Sequence, residues 1–210
     1  MTSDPNASPF VLQPPNPLLI VISGPSGVGK DSVLEKMKSR GLPFHFVITA
    51  TTRAARPDEK DGVDYFFLSQ DEFARMIDEG ELLEYAVVYQ DYKGIPKSQV
   101  RQALASGKNV IMRVDVQGAE TVRKLAKDAL LIFLTPQNED ELINRLTNRN
   151  TEDTESLNLR IATTRQEYNK IGLFDYIVVN KDEELSEAVD MIEAIIKAEQ
   201  HRVHQRVVNL

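Results

Sequence analysis

The run Gly24-Pro25-Ser26-Gly27-Val28-Gly29-Lys30 has two glycines separated by four residues, with a lysine directly after the second. Glycines at that spacing let the main chain wrap a polyphosphate with its N–H groups pointing inward. The helix that opens after such a turn adds partial positive charge, and Lys30 adds a full charge near the β- and γ-phosphates. The segment sits where this chemistry requires it, between the apolar run Leu18–Ser23 and a helical stretch that reaches about Arg40. Asp31 follows Lys30, at the position where Ser or Thr would normally offer a hydroxyl to Mg²⁺, and Ser32 comes one residue later. The metal contact is therefore open between Ser32, a water, and Asp31 in the outer shell.

A second group of residues could hold a smaller anion. Arg53 and Arg56 lie on a polar loop, and Tyr65 follows in Asp61-Gly-Val-Asp-Tyr-Phe-Phe. Two guanidinium forks and a phenol hydroxyl suit the dianion of a phosphate monoester, although a solvated basic loop has the same composition. Asp115 ends an apolar run, at the edge where open α/β sheets gather ligands; a helix N-cap is the plainer role there, and both can hold. Arg145, Arg149 and Arg160 lie in a charged helix–loop–helix stretch. Mobile arginines of that kind can neutralise the bridging and γ-oxygens during phosphoryl transfer, or simply pair with nearby acids on an exposed helix.

The whole chain is acidic, with a net charge of −7 over 210 residues, which argues against general nucleic-acid or membrane binding and requires local cationic clusters for any anion. It has no Cys, which excludes disulfides, thiol nucleophiles and Cys-ligated zinc. The first 17 residues contain five Pro, without the apolar run of a secretory signal or the arginines of a transit peptide. A frayed tail and a cytoplasmic location are expected.

Continuous apolar runs alternate with amphipathic stretches, the pattern of an α/β fold with a parallel sheet. Strands are expected at 18–23, 44–50, 109–115, 129–135 and 174–180. The middle breaks the alternation: short β-prone runs at 65–67 and 81–89 flank a helix capped by Ser69 and Glu72, and Gln90-Asp-Tyr-Lys-Gly94 reads as a turn.

Five segments occur together and in order: Ser23–Lys30, Thr51-Thr-Arg-Ala-Ala-Arg-Pro57, Asp61–Phe67, Gly80-Glu-Leu-Leu-Glu-Tyr85 and Val114-Asp-Val-Gln-Gly118. Their ordered set resembles the guanylate kinase family over about residues 18–200. Tyr92-Lys-Gly-Ile-Pro-Lys97, Arg113 and the C-terminal Arg202-Val-His-Gln-Arg206 resemble its cyanobacterial and plastid branch.

The resemblance implies a P-loop NTPase three-layer core (18–48, 100–135, 171–200), a β-rich GMP-binding insert (49–99), a helical lid (136–170), and tails at 1–17 and 201–210. It implies GMP and ATP as partners, with dGMP open, and Mg²⁺ as cofactor; the acidic charge leads to the expectation of no nucleic-acid or membrane partner. Gly24, Pro25, Ser26, Gly27, Val28, Gly29, Lys30, Asp31, Ser32 and Asn180 would bind ATP. Thr49, Arg53, Arg56, Tyr65, Glu84, Lys93 and Asp115 would bind GMP, with Glu84 reading the guanine edge. Lys30, Arg149, Arg160 and Arg145 would act in transfer. Lys93 and Ile95 stand where many members have a phosphate-binding Tyr and a hydroxyl residue. Two other readings are a non-catalytic module that binds phosphorylated partners, and a kinase for a different acceptor such as a phosphorylated sugar.

Overall fold

The computed structural model describes residues 14–88, 91–147 and 154–210. In chain order the elements are β1 (Leu19–Ser23), α1 (Lys30–Ser39), β2 (His45–Phe46), β3 (Ala50–Thr51), β4 (Phe66–Phe67), α2 (Gln70–Asp78), β5 (Leu82–Val88), β6 (Asp91–Pro96), α3 (Lys97–Ala105), β7 (Val110–Arg113), α4 (Val116–Leu125), β8 (Leu130–Thr135), α5 (Glu139–Thr147), α6 (Thr154–Tyr168), β9 (Tyr176–Val179) and α7 (Leu185–Gln200). Five strands form a parallel sheet in the order β2-β7-β1-β8-β9, and four form a smaller mixed sheet in the order β4-β3-β6-β5.

β1 is buried along its full length, as a strand covered on both faces must be. Its side chains alternate between two cores. Leu18, Ile20 and Ile22 meet Val33 and Met37 of α1 and Ile192 and Ile196 of α7. Leu19 and Val21 meet Val100 of α3 and Ala119 and Val122 of α4. This two-sided burial is the physical content of the expected three-layer α/β core. Leu142 and Leu146 of α5 join the first core, so the expected lid begins with a helix rooted in the central domain.

The smaller sheet holds Phe73 of α2 beneath it, fully buried and stacked on Tyr92 at 5.2 Å between ring centroids. Ser69 starts α2 with a complete capping box: its hydroxyl accepts from the Glu72 main-chain N–H, and the Glu72 carboxylate accepts from the Ser69 N–H. One expectation fails here. Asp91–Gly94 is strand β6, paired antiparallel with both β5 and β3, where turn-forming residue types predict a turn. Pairing on both sides overrides the local preference.

Near the ends of the described residues, segments remote in sequence meet. The Asn16 main-chain N–H donates to the Gln205 side chain at 2.7 Å. Arg206 donates to Glu199 at 2.7 Å and pairs with Asp175 at 3.5 Å, while the Tyr176 hydroxyl donates to Glu199 at 2.7 Å. Glu199 is only 3% exposed. Burial alone would raise its pKa, but hydrogen bonds from Arg206, Tyr176 and Arg202 outweigh that and hold the carboxyl at about 2.

Replacing Arg206 by Met should therefore lower the unfolding free energy by about 3 kcal/mol, because it leaves a buried carboxylate short of its main partner. Urea denaturation near neutral pH measures this. In the wild type, the Glu199 contribution is present above the unfolded value of 4.5 and is lost as pH falls toward about 2. The acid limb of Arg206→Met should be correspondingly shallower.

Candidate functional site

The residues from Gly24 to Lys30 turn between the carboxyl end of β1 and the start of α1. Gly29 holds φ at 87°, and a Cβ there would lie 2.5 Å from Asn180 Nδ2, so the position excludes a side chain on both counts. As the N-cap of α1 it contributes no side-chain hydrogen bond, which leaves the first-turn N–H groups facing the loop without a cap. The Lys30 ammonium donates to the carbonyls of Gly24 at 2.5 Å and Pro25 at 2.7 Å.

Two cavities flank this loop. One, of about 260 Å³, is lined by Lys30, Thr49, Glu84, Lys93, Arg113 and Asp115, with Ile95 and Gly94 in its wall. The other, of about 440 Å³, is lined by Gly27, Gly29, Ser32, Arg145, Asn180 and Asp182. Lys30 and Gly29 are consecutive, so the loop is the partition between them.

Glu84 enters the first cavity from β5, whose register with β6 is irregular between Leu82 and Glu84. The first turn of α4 makes room for it. A Cβ on Gly118 would lie 3.1 Å from the Glu84 Cγ and 2.9 Å from the Val114 Cβ. Asp115 caps α4 by accepting from the Gly118 N–H at 2.7 Å, the plainer of its two expected roles, and also lines the cavity. Burial first, and the neighbouring Asp115 charge second, push the Glu84 carboxyl up to about 7.

Thr49, Glu84, Lys93, Asp115 and Lys30 thus meet in one cavity. Arg53 and Tyr65 adjoin it. The Arg53 guanidinium lies over the Tyr65 ring at 5.4 Å and over Phe67 at 5.9 Å, and Lys93 Nζ is 5.8 Å from the same Tyr65 ring. Lys93 therefore joins the cavity to the aromatic cluster. One Arg53 nitrogen donates to both Glu59 oxygens, at 2.8 and 2.9 Å, and this pairing raises the arginine and lowers the acid from their ordinary values. Arg56 is exposed; its main-chain N–H donates to Glu59 at 2.8 Å.

On the other side of the loop, Asn180 is buried and donates from Nδ2 to the Val28 carbonyl at 2.9 Å, while its Oδ1 is buried without a partner among the described residues. Arg145 donates to the Asn180 carbonyl at 2.7 Å and to Asp182 at 2.8 Å, and pairs with Glu141. Arg160 is half-buried on α6 and lines neither cavity. Arg149 lies outside the described residues.

Two ionisable residues enter that spacing and motif did not single out for the site. Arg113, at the end of β7, lines the first cavity and pairs with Asp31. In the sequence it enters only through the branch resemblance, as a charge inside the otherwise apolar run Val110–Val114. Glu167 of α6 is buried; burial raises its pKa, the Lys30 charge pulls it down, and Asp115 raises it again, so it lies within electrostatic reach of the cavity. Nothing in the sequence around it marks it out.

A model of the family described as guanylate kinase matches residues 16–199. A rice protein named guanylate kinase 2, chloroplastic/mitochondrial, is 50% identical over 94% of this chain and 70% of its own. The guanylate kinase of Latilactobacillus sakei is 43% identical over 89% of this chain and 91% of its own. The crystal structure of guanylate kinase from Anaplasma phagocytophilum superposes with a TM-score of 0.69 at 27% identity, covering 93% of this chain and 92% of that one.

The Glu84 environment has a measurable consequence. A carboxyl raised from 4.5 to about 7 favours the folded state fully below 4.5, and that advantage is lost as pH rises through about 7. Glu84→Gln should therefore melt higher than wild type at about pH 8 and nearly level with it at about pH 5. Calorimetric melting at the two pH values decides the point; an equal difference at both would rule out the raised pKa.

Proposed function

The chain belongs to the guanylate kinase family, and on that premise we propose that it transfers the γ-phosphoryl group of ATP to GMP, giving ADP and GDP. The observation that carries this reading is that Glu84 and Lys30 line one cavity, with the Lys93, Tyr65 and Arg53 cluster beside it. Guanine presents two adjacent donors, the ring N–H and the exocyclic amine, and one carboxylate accepts both. Adenine offers an acceptor at the first of these positions and leaves a buried carboxylate unpaired, at a cost of about 1–3 kcal/mol or more. Thr49 borders the same space, and Arg53, Tyr65 and Lys93 hold the acceptor phosphate, with Arg56 as a further cation of that loop.

The donor lies along the loop on the other side. Main-chain N–H groups from Ser26 to Asp31 cradle its phosphates, and Ser32 borders its cavity. The orphaned Asn180 Oδ1 is an acceptor suited to the exocyclic amine of adenine. In this reading Arg145 serves the donor side, tied as it is to Asn180 and Asp182, and Arg149 and Arg160 serve the transferring group.

A GMP phosphate oxygen forms the new bond to the γ-phosphorus as the bond to the β–γ bridging oxygen breaks. A phosphate oxygen is already nucleophilic, so no general base is required. This chain's residues supply alignment and charge: Lys30 at the γ-phosphate, and the arginines and Lys93 around the acceptor.

Mg²⁺ is implied by this chemistry, and the donor set fits a metal held chiefly by ATP oxygens and water. Asp115 uses one carboxylate oxygen as a cap, which leaves the other for a water-mediated contact; Ser32 lies in the donor cavity, and Asp31 is engaged by Arg113. Bound there, the ion would neutralise charge on the β- and γ-oxygens. A non-catalytic module is not favoured, since Lys30 and its loop are intact.

Purified protein given ATP, Mg²⁺ and each of GMP, AMP, CMP and UMP should turn over GMP fastest by at least about 100-fold. AMP turnover at a comparable rate would sink the role of Glu84. Guanine's donors favour ionised Glu84, so the KM for GMP should rise as pH falls below about 7, the value to which that carboxyl is pushed. Arg53→Ala should raise the KM for GMP by about tenfold, and Lys30→Ala should lower kcat by about 100-fold or more.

A further inference from the structure

Asp31 is an unexpected residue in a helix turn that faces polyphosphate. A carboxylate there repels the phosphates that the loop attracts, unless something counters it. The fold supplies Arg113. β7 lies beside β1 in parallel register, with Arg113 opposite Ile22, so Arg113 leaves its strand level with the start of the loop. It reaches Asp31 as an ion pair, with the acid 67% exposed on the outside and the arginine 35% exposed on the inside.

Neutralising Asp31 would not require Arg113 to face a ligand cavity, yet it faces two. On one side is the space lined by Lys30, Glu84, Lys93 and Asp115. On the other is a cleft of about 140 Å³ lined by Asp31, Lys38, Asp64 and Tyr65, and Thr49 borders both. Arg113 therefore stands between the carboxylate that would read guanine and the aromatic–cationic cluster that would hold the phosphate. Among the described residues Asp31 is its one ion-pair partner, and no hydrogen bond to protein uses the rest of its fork. The charge count points the same way. The walls of the first cavity carry Lys30, Lys93 and Arg113 against Glu84 and Asp115. Without Arg113 the cationic and carboxylate side chains that line it are equal in number.

We propose that Arg113 is a ligand of the acceptor phosphate, with Asp31 as the positioning residue that aims its guanidinium into the cavity. The inference rests on the GMP kinase reading. One edge of the planar fork meets the Asp31 carboxylate, and the remaining N–H groups donate to phosphate oxygens, a geometry that a lysine ammonium cannot reproduce. Asp31 thereby gives up the metal-facing role of the usual hydroxyl.

The test uses the full chain and four variants, Arg113→Met, Arg113→Lys, Asp31→Asn and the double Asp31→Asn/Arg113→Met, with GMP as substrate and guanosine as a phosphate-free competitor. Arg113→Met should raise the KM for GMP by about tenfold, with the KM for ATP and the inhibition constant of guanosine within about twofold of wild type. Arg113→Lys should recover part of the loss. Asp31→Asn should raise the KM for GMP by about threefold at nearly constant kcat, as expected of a residue that acts by orientation.

The double variant separates the two roles. It should bind GMP as weakly as Arg113→Met. If removing the Asp31 charge restores the GMP constant, Arg113 is only a counter-ion and the proposal fails. A parallel loss of GMP and guanosine affinity, or unchanged GMP constants in Arg113→Met, overturns it as well. Failure of the wild type to phosphorylate GMP would instead overturn the reading on which it rests.

Discussion

The hydrogen-bonded adjacency of β1 and β7 is the constraint on which the rest depends. The two strands run parallel, with Ile22 opposite Arg113 and the Val114 N–H donating to the Ile22 carbonyl at 3.3 Å. Both release their chains at the same sheet edge, so the loop from Gly24 to Lys30 and the segment from Arg113 to Asp115 emerge side by side. Neither could form a walled cavity alone. A parallel neighbour cannot be reached by a hairpin, and the chain between β2 and β7 must cross over. The smaller sheet is built into that crossover. Its β5 returns against α4, and Gly118 lets Glu84 close the cavity opposite Lys30.

An acidic protein that binds two anions has to manage charge locally. Here the cations are set by carboxylates: Arg53 by Glu59, Arg113 by Asp31, and Arg145 by Glu141 and Asp182. Such pairs fix a guanidinium's direction before a ligand arrives, which lowers the entropy lost when it binds. The Arg113 fork, paired with one carboxylate, keeps N–H groups available, whereas every nitrogen of Arg145 is engaged. Glu84 and Asp115 are the opposite case. Burial first, and the neighbouring Asp115 charge after it, raise the Glu84 pKa, so hydrogen-bond donors brought to that carboxylate would offset both. Cations and carboxylates therefore line the same cavity.

The fold was legible wherever local pattern and tertiary demand agree. Leu18–Ser23 is apolar at every position but the last, and a strand covered on both faces needs that. The Ser69–Glu72 box is a contact within four residues, so it could be read without knowing what lies beneath α2. The misreading of Asp91–Gly94 came where the two disagree. Asp and Gly favour turns, but β3 and β5 both offer this segment main-chain partners, and those hydrogen bonds are invisible to a local window.

The site divides along the same line. The sequence alone determined the turn from Gly24 to Lys30, because its main-chain geometry follows from glycine spacing, and it nominated Arg53, Tyr65 and Asp115 by residue type and Thr49, Glu84 and Lys93 through an ordered resemblance. Only the tertiary structure decided that Lys30, Glu84, Lys93 and Asp115 share one cavity, that burial beside Asp115 raises Glu84, and that Arg113 reaches back to Asp31. The physical reason is distance along the chain. Asp31 and Arg113 are separated by a crossover and a second sheet, and an ion pair between them exists only because two parallel strands end at one edge.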